Sequence, residues 1–272
     1  MAKELRGIVR WDSPQSGEFN MDADNRMLAE LQSHSPVVLR MYRWSSPTLS
    51  LGHFQDEEEI PAEERWSTAP RVRRKTGGGA ILHDLEWTYS LVIPSRPELG
   101  LKGHSEAIYR STHLAIVNGL REMGWDAKLS EQCTCSAAGT RKVSQAEPFL
   151  CFMRRSPVDV LIGQDKILGS AQRRSAAGLL QHGSFLLSAS ALTPSLHGLF
   201  DQTRNSSDAS GLESEDAGKG ADADWVRASV PSDANSIVDF AWRFWGEWLA
   251  ERLRAGIDQV IACKWDDARF PD

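Results

Sequence analysis

RVRRKTGGGAILHDLEWTYS, residues 71–90, sets three consecutive glycines between a basic run and an alternating apolar segment. Glycine loses more backbone entropy on folding than other residues, so a tract of three is kept where the chain needs a positive φ or a close approach to its backbone. The segments around it, residues 71–74, 80–82 and 88–93, have the composition of strands. The stretch therefore predicts either a β-bulge or tight hairpin, or a place where a ligand lies against bare backbone.

The glycine tract does not have the spacing of the common nucleotide-binding loops. Gly79 is followed by Ala-Ile-Leu-His-Asp, so a GxxxxGK[ST] phosphate loop is absent, and so is GxGxxG. Basic residues precede the tract, namely Arg71, Arg73, Arg74 and Lys75. Guanidinium groups beside exposed backbone N–H groups suit an elongated ligand with an anionic part, although such a cluster can equally be a solvated face.

The remaining periodicities mix helices and strands without a regular βαβ order. Apolar spacing predicts helices over residues 19–31, 105–124 and 234–256, the last one stopping at Gly256, and residues 56–66 are polar but compatible with a helix. Strands are predicted at residues 6–11, 37–44, 158–162, 166–172, 179–187 and 258–263, with hairpin chemistry in IGQDKI. This pattern predicts an α+β fold with a mixed, mostly antiparallel β-sheet flanked by helices.

Composition divides the chain into three parts. Residues 1–200 are expected to form a single catalytic domain. Residues 204–224, RNSSDASGLESEDAGKGADAD, contain a single Leu among Ser, Gly, Asp and Glu, so we expect a flexible acidic linker or loop. Residues 225–272 are expected to add a C-terminal helix and strand that pack on the same domain.

Composition also excludes several classes of protein. The chain has 272 residues, 41% hydrophobic and 25% charged, which is typical of a globular protein. We expect no secretion signal and no membrane span, because no run of about 18 apolar residues occurs. Four cysteines are too few for a disulfide framework, and Cys133 and Cys135 lack the spacing of a zinc site, so a reducing cytoplasm and no metal are expected. The net charge of −6 argues against a nucleic-acid partner.

Three further stretches identify a family. They are SPTLSLGHFQ (46–55), DVLIGQDKILGSAQRR (159–174) and LLQHGSFLL (179–187). Taken in order with RRKTGGGAILHD, they resemble the biotin/lipoate protein ligase and octanoyltransferase superfamily, and FNMDADNRMLAE resembles its N-terminal helix. The resemblance covers residues 19–187 and implies the fold of class II synthetases and biotin ligases.

The segment around Cys151 indicates which branch of that superfamily is closest. EPFLCFMRRSPVDVLIGQDKILGSAQ resembles the octanoyl-[acyl carrier protein]:protein N-octanoyltransferases related to lipoate-protein ligase A, in which the matching cysteine accepts the acyl group. The ending Thr-Tyr-Ser of the glycine motif is similar to the transferase form, whereas three glycines in place of Gly-Gly-Arg are similar to the ligase form. The resemblance implies that Cys151 and Lys166 are catalytic.

The resemblance also implies a substrate slot walled by small residues of the three motifs. The residues implied to bind substrate are Arg73, Arg74, Gly77, Gly78, Gly79, His83, Gly169, Ser170, Ala171, His182 and Gly183. The two histidines are either pocket walls or acid–base groups. Lys166 either favours the thiolate of Cys151, binds the developing oxyanion or manages the proton of the acceptor amine. Backbone N–H groups near Cys151 and Gly169-Ser170 are the expected oxyanion donors.

Three functions remain open at this point. The first is transfer of an octanoyl or lipoyl group from an acyl carrier protein thioester, through a Cys151 thioester, to a lysine of a lipoyl domain or the glycine cleavage H protein, without a cofactor. The second is an ATP-dependent lipoate-protein ligase that acts through lipoyl-AMP and needs ATP and Mg²⁺. The third is a non-catalytic superfamily member that binds carrier proteins. Basic pairs beside the motifs suit an acidic carrier.

Overall fold

Two β-sheets and three α-helices make up the described part of the chain, which in this computed structural model comprises residues 5–96, 101–132, 147–202 and 234–266. The strands are β1 (Leu5–Trp11), β2 (Val37–Tyr42), β3 (Thr48–Leu51), β4 (Arg71–Arg73), β5 (Ile81–His83), β6 (Glu86–Pro94), β7 (Ala127–Leu129), β8 (Val160–Ile162), β9 (Asp165–Arg174), β10 (Gly178–Leu186) and β11 (Cys263–Trp265). The helices are α1 (Gly17–Ala29), α2 (Leu101–Glu122) and α3 (Ala234–Asp258). The predicted linker 204–224, Cys133 and Cys135 lie outside these ranges.

The larger sheet has eight strands in the order β11-β1-β2-β6-β10-β9-β8-β7. The β11–β1 and β1–β2 pairs are parallel, and the other neighbours run antiparallel. A second sheet has three strands in the order β4-β3-β5. The predicted α+β fold with a mixed, mostly antiparallel sheet flanked by helices is confirmed.

The central strand β6 shows how the large sheet divides its two faces. Trp87, Tyr89, Leu91 and Ile93 belong to the main core, which also contains apolar residues of α2 and α3. Successive side chains of a strand point to opposite faces, so the alternate residues face the other way. Among these, Val92 packs with Leu28 of α1. The polar side chains of this second face lie next to the site described below.

Residues 56–66 do not form the helix with which their composition is compatible. The structure has two short 3₁₀ turns there, Glu57–Glu59 and Arg65–Thr68. Pro61 lies between them and has no N–H to continue a helical ladder. The first turn buries none of its residues, so no packing favours a longer helix.

The C-terminal elements are shifted from their predicted bounds. Helix α3 continues through Gly256 to Asp258, and the last strand is Cys263–Trp265 rather than residues 258–263. A Cβ at Gly256 would lie 2.6 Å from the carbonyl oxygen of Ser111 on α2. This glycine therefore permits close contact between two helices and does not end one.

A buried polar cluster fixes α1 on the large sheet. Arg40 of β2 donates to Asp24 Oδ1 at 2.8 Å and to Asp12 Oδ2 at 2.7 Å. Asp24 also accepts from Ser90 Oγ at 2.6 Å and faces His182 Nδ1 at 3.3 Å. Burial raises the pKa of the Asp24 carboxyl, but the bond from His182 and the charge of Arg40 outweigh it, so the net pKa is lowered.

We expect Asp24→Asn to lower the free energy of unfolding by about 3 kcal/mol at pH 7, because Arg40 then stays buried beside a neutral amide. The folded-state pKa of Asp24 lies below its ordinary value of 3.8, so its contribution is present above that pH and is lost as pH falls through the folded pKa. The difference between variant and wild type should therefore shrink below pH 3.8. Urea unfolding at a series of pH values measures it, and a difference independent of pH would contradict this account.

Candidate active site

A cavity lies between the three-stranded sheet and strands β6, β9 and β10. It contains about 460 Å³ of empty space, a volume that includes space open to solvent. Ten of the residues predicted from sequence line it, namely Arg74, Gly77, Gly78, His83, Cys151, Gly169, Ser170, Ala171, His182 and Gly183. Three other predicted residues do not line the cavity. Lys166 and Gly79 lie next to Cys151, and Arg73 is exposed.

Lys166 holds a positive charge against the sulfur of Cys151. Its Nζ lies 3.6 Å from Cys151 Sγ, 3.3 Å from the Cys151 carbonyl oxygen and 2.9 Å from Asp159 Oδ2. An ammonium group has three N–H donors, and each of these has an acceptor here. The Lys166 side chain is 3% exposed, so water barely competes for it. The arrangement is that of a fixed ammonium beside a nucleophile.

A β-bulge aims Lys166 into this position. Val160 pairs with Leu168, and the next residue, Leu161, pairs with Lys166, so Ile167 is an extra residue on β9. The bulge reverses the alternation of side chains along the strand. Lys166 consequently shares a face with Gly169, where a Cβ would lie 2.4 Å from Lys166 Cε. Glycine at position 169 therefore leaves the space that the lysine occupies.

Asp159 also belongs to the site, although it was not among the residues predicted from the sequence. It is 1% exposed, pairs with Lys166 and accepts from the Ser156 backbone N–H at 2.7 Å. Burial raises the pKa of the Asp159 carboxyl, and the charge of Lys166 opposes that rise. A signal was present in the sequence, since an aspartate directly before the apolar strand VLI is expected to be buried only with a partner.

The glycine tract provides a positive φ at one position and a close approach of backbone at another. Gly78 has φ +92°, a region that favours glycine. At Gly79 the approaching group belongs to the chain itself, because a Cβ would lie 2.9 Å from both Cys151 N and Phe149 O. At Gly77 a Cβ would meet nothing within 4 Å. Gly79 thus docks the turn that carries Cys151.

Backbone hydrogen bonds complete that docking. The Cys151 N–H donates to Ala80 O at 2.7 Å, and the Ala80 N–H donates to Phe149 O at 3.0 Å. The N–H of Cys151 itself is therefore already used and is not available among the backbone donors near Cys151 that were expected to bind an oxyanion. Lys166 Nζ is the charged donor beside the sulfur instead.

We expect Gly79→Ala to lower the free energy of unfolding by about 1–3 kcal/mol, because the methyl group overpacks the Cys151 turn. Gly77→Ala is the matched comparison, since its Cβ enters open space and should change stability by less than about 1 kcal/mol. Urea unfolding midpoints of the two variants measure the difference. Equal midpoints would show that the tract does not hold the turn.

Arg74 is a buried cation at the cavity wall. Its guanidinium donates to the carbonyl oxygens of Ser50 (2.8 Å) and Gly79 (2.5 Å) and to Ser50 Oγ (3.1 Å). Within the described ranges it has no carboxylate partner, and its buried Nε has no acceptor. Burial lowers the pKa of Arg74 to about 10, and the electrostatic interaction with Cys151 opposes that fall. Arg73, by contrast, is exposed and pairs with Glu57 at 3.4 Å.

Each of the two cavity histidines lies between a hydroxyl and a buried carboxylate. His83 Nε2 lies 2.7 Å from Ser50 Oγ, and its Nδ1 lies 2.6 Å from Glu86 Oε1. His182 Nε2 lies 2.5 Å from the hydroxyl of Thr76 on the glycine loop, and its Nδ1 faces Asp24 of α1. The hydroxyl and carboxylate partners were missed, because no short motif links residues so far apart in sequence.

A third network of hydrogen bonds holds Ser170 in the cavity wall. Its Oγ lies 2.7 Å from both Tyr89 OH and His113 Nε2, and Tyr109 OH donates to its carbonyl at 2.7 Å. Burial lowers the pKa of His113 to about 3, so this imidazole is neutral at working pH. The network fixes the wall beside Gly169.

Other reactive features are few in the ranges that the structure covers. Burial raises the pKa of the Cys263 thiol to about 12, which makes it a poor nucleophile. Among the described residues no group of three His, Cys, Asp or Glu side chains is placed to hold a metal ion. No helix within these ranges has both the length and the apolarity to cross a bilayer.

Comparison with known proteins gives the family and the fold. Residues 16–218 match the model of the lipoyl protein ligase A/B catalytic domain. Octanoyltransferase LipM of Kyrpidia tusciae is 38% identical over 175 residues, which cover 63% of this chain and 62% of that relative. Octanoyltransferase LipM of Geobacillus kaustophilus is 36% identical over 194 residues, which cover 69% of this chain and 67% of that relative. The matched region thus spans about two thirds or less of these curated relatives.

Solved structures agree on the fold. A bi-partite lipoate protein ligase from Thermoplasma acidophilum, described with its E2 lipoyl domain, superposes with a TM-score of 0.54 at 18% identity. The superposition covers 99% of this chain and 88% of that chain. At this identity the likeness concerns the fold alone.

Proposed function

This chain belongs to the lipoyl protein ligase A/B catalytic domain family, and within it we propose that the protein transfers an octanoyl group through a thioester on Cys151. The observation that carries the proposal is the 3.6 Å distance between Lys166 Nζ and Cys151 Sγ, at the wall of a cavity lined by residues of the family motifs. A ligase that activates a free acid with ATP has no use for a sulfur in this position. The identity to octanoyltransferases supports the same choice.

The first half-reaction is an exchange of thioesters. The Cys151 thiol loses its proton, the thiolate attacks the carbonyl carbon of the donor thioester, and the new C–S bond forms as the donor C–S bond breaks. The donor sulfur leaves as a thiolate and takes up the proton that the Cys151 thiol lost. Bond types on both sides are the same, so no ATP is required. The Lys166 ammonium stabilises the thiolate before attack and the oxyanion during it.

The second half-reaction forms an amide. A lysine amine of the acceptor attacks the Cys151 thioester, the C–N bond forms, and the Cys151 sulfur leaves and regains a proton. An amide is more stable than a thioester, so the step runs downhill. The reaction as proposed needs no metal and no nucleotide.

An acyl carrier protein is the proposed donor, and a lipoyl domain or the glycine cleavage H protein is the proposed acceptor. Lys75, Arg173 and Arg174 support an acidic donor, because they form no ion pair within the described ranges and lie within three residues of the cavity residues Gly77 and Ala171 in sequence. Arg173 donates to the Lys75 carbonyl at 2.8 Å, so the glycine loop and the end of β9 present their charges together. A local positive patch on an acidic protein steers an acidic partner.

A reconstituted assay tests the proposal against the ligase alternative. With octanoyl carrier protein and a lipoyl domain, we expect octanoyl transfer in the absence of ATP. With free lipoate or octanoate and MgATP, we expect no pyrophosphate release. The reverse pattern would identify a ligase, and transfer in neither assay would favour a non-catalytic binding protein.

A further inference from the structure

Amide formation at Cys151 releases a proton from the attacking amine, and Lys166 is not placed to accept it. All three donor positions of Lys166 are directed at acceptors, one of them the buried carboxylate of Asp159. A group that already holds its full set of protons cannot serve as a base. Another side chain at the cavity must do so.

Ser50, His83 and Glu86 have the geometry of an acid–base relay. Glu86 Oε1 accepts at 2.6 Å from Nδ1 of His83, which fixes the tautomer and leaves Nε2 as an acceptor. Ser50 Oγ lies 2.7 Å from that Nε2, so its hydroxyl proton points to the imidazole. Arg74 donates to the same Oγ at 3.1 Å, which favours negative charge on it. Ser50, His83 and Glu86 thus follow the order hydroxyl, imidazole and carboxylate. Hydrolases use the same order for a nucleophile, a base and a carboxylate that orients the base.

The surroundings lock this relay in place. The His83 ring stacks on Trp44 with 3.9 Å between centroids and 13° between planes. Thr88 Oγ1 donates to Glu86 Oε1 at 2.5 Å and accepts from Trp44 Nε1 at 2.8 Å. Ser50 and His83 line the same cavity as Cys151. These contacts hold the three side chains rigidly. Two of them, Ser50 and His83, face the cavity in which the Cys151 thioester would react.

Charge distinguishes His83 from the second cavity histidine. The carboxylate that faces His182 belongs to Asp24, which is already neutralised by Arg40 at 2.8 Å. Glu86 has no cationic partner other than His83 within the described ranges, and its buried Oε2 has no hydrogen-bond donor. An uncompensated buried carboxylate stabilises an imidazolium beside it. Within the described ranges His83 is therefore the one cation partner that faces Glu86, whereas Asp24 is shared between Arg40 and His182.

We propose that Ser50, His83 and Glu86 carry the proton of the attacking amine in the second half-reaction, an inference that rests on the proposed function. As the C–N bond forms, the amine proton passes to Ser50 Oγ while the Ser50 proton passes to His83 Nε2. The Cys151–carbonyl bond breaks, and the sulfur leaves as a thiolate held by Lys166. The proton then returns from His83 through Ser50 to the sulfur, so that thiol, hydroxyl and neutral imidazole are restored.

Separate measurement of the two half-reactions tests the relay. Rapid-quench mass spectrometry gives the rate of Cys151 acylation and, from isolated acyl-enzyme, the rate of transfer to a lipoyl domain. In His83→Gln and Ser50→Ala we expect transfer from the isolated acyl-enzyme to slow by about 100- to 10,000-fold, a loss at least about tenfold greater than any loss in acylation. Ser190→Ala, which removes a buried hydroxyl bonded to Asp84 outside this cavity, should change neither rate.

The pH dependence of the transfer rate separates an acid–base role of His83 from a purely structural one. Replacing a residue that is only structural would leave this pH dependence unchanged. His83 faces Glu86, Arg74 and His182, and burial lowers its pKa below the ordinary 6.5, with Glu86 opposing. After correction for the unprotonated fraction of the acceptor amine, wild-type transfer should fall only below pH 6.5, and this limb should vanish in His83→Gln. Equal losses in both half-reactions, or an unchanged limb, would overturn the relay. Wild-type protein that forms no acyl-enzyme would overturn the proposed function instead.

Discussion

Lys166→Met slows acylation of Cys151 by about 100- to 1,000-fold, the loss that follows removal of one preorganised donor from an oxyanion site. The reason is the position of its ammonium, 3.6 Å from the sulfur and screened from water. Quenched-flow acylation with octanoyl carrier protein measures the rate. Lys128→Met is the control, because Lys128 lies on β7, two strands away from Lys166 in the sheet, and makes only a 3.9 Å contact with Asp126.

A stability effect must be separated from this catalytic one. Lys166→Met leaves Asp159 buried without its cation, which costs about 3–5 kcal/mol of folding free energy when one member of such a pair is removed. Adding Asp159→Asn removes the unpaired charge, so the double variant should regain most of the stability while acylation stays slow. Recovery of acylation together with stability would mean that Lys166 acts on folding alone.

Cys151→Ala reduces octanoyl transfer to the rate without enzyme, a loss of at least about 10,000-fold expected when a covalent nucleophile is removed. The residue lies on a 3₁₀ turn at the cavity wall and is half-buried, so its loss should leave folding intact. Transfer to a lipoyl domain, followed by mass spectrometry of the acceptor, measures the effect. Cys263→Ala, the other described cysteine, should transfer at the wild-type rate.

The main strands could be predicted from the sequence, and so could the closeness of Cys151 to Lys166. The alternation in β6 and β10, the Gly163 turn with φ +57° and the apolar spacing of α2 are local signals, and each predicted element is confirmed. Local signals define elements because side-chain periodicity follows backbone geometry. The family motifs added the pairing of Cys151 with Lys166.

The details that decide the chemistry depend on contacts between distant segments. The bulge at Ile167 turns Lys166 toward Gly169, and no feature of the strand sequence indicates it. Ser50 meets His83 33 residues away, and Thr76 meets His182 106 residues away. Such buried hydrogen bonds become visible only when the sheets are assembled, although each buried polar group requires a partner.

The most direct test of the account is the intact mass of the protein after mixing with octanoyl carrier protein in the absence of ATP. We predict a single added octanoyl group, located by peptide mapping on Cys151, removed by neutral hydroxylamine as a thioester is, and absent from Cys151→Ala. A protein that stays unmodified under these conditions, or an adduct that persists when Cys151 is replaced, would contradict acyl transfer through this sulfur.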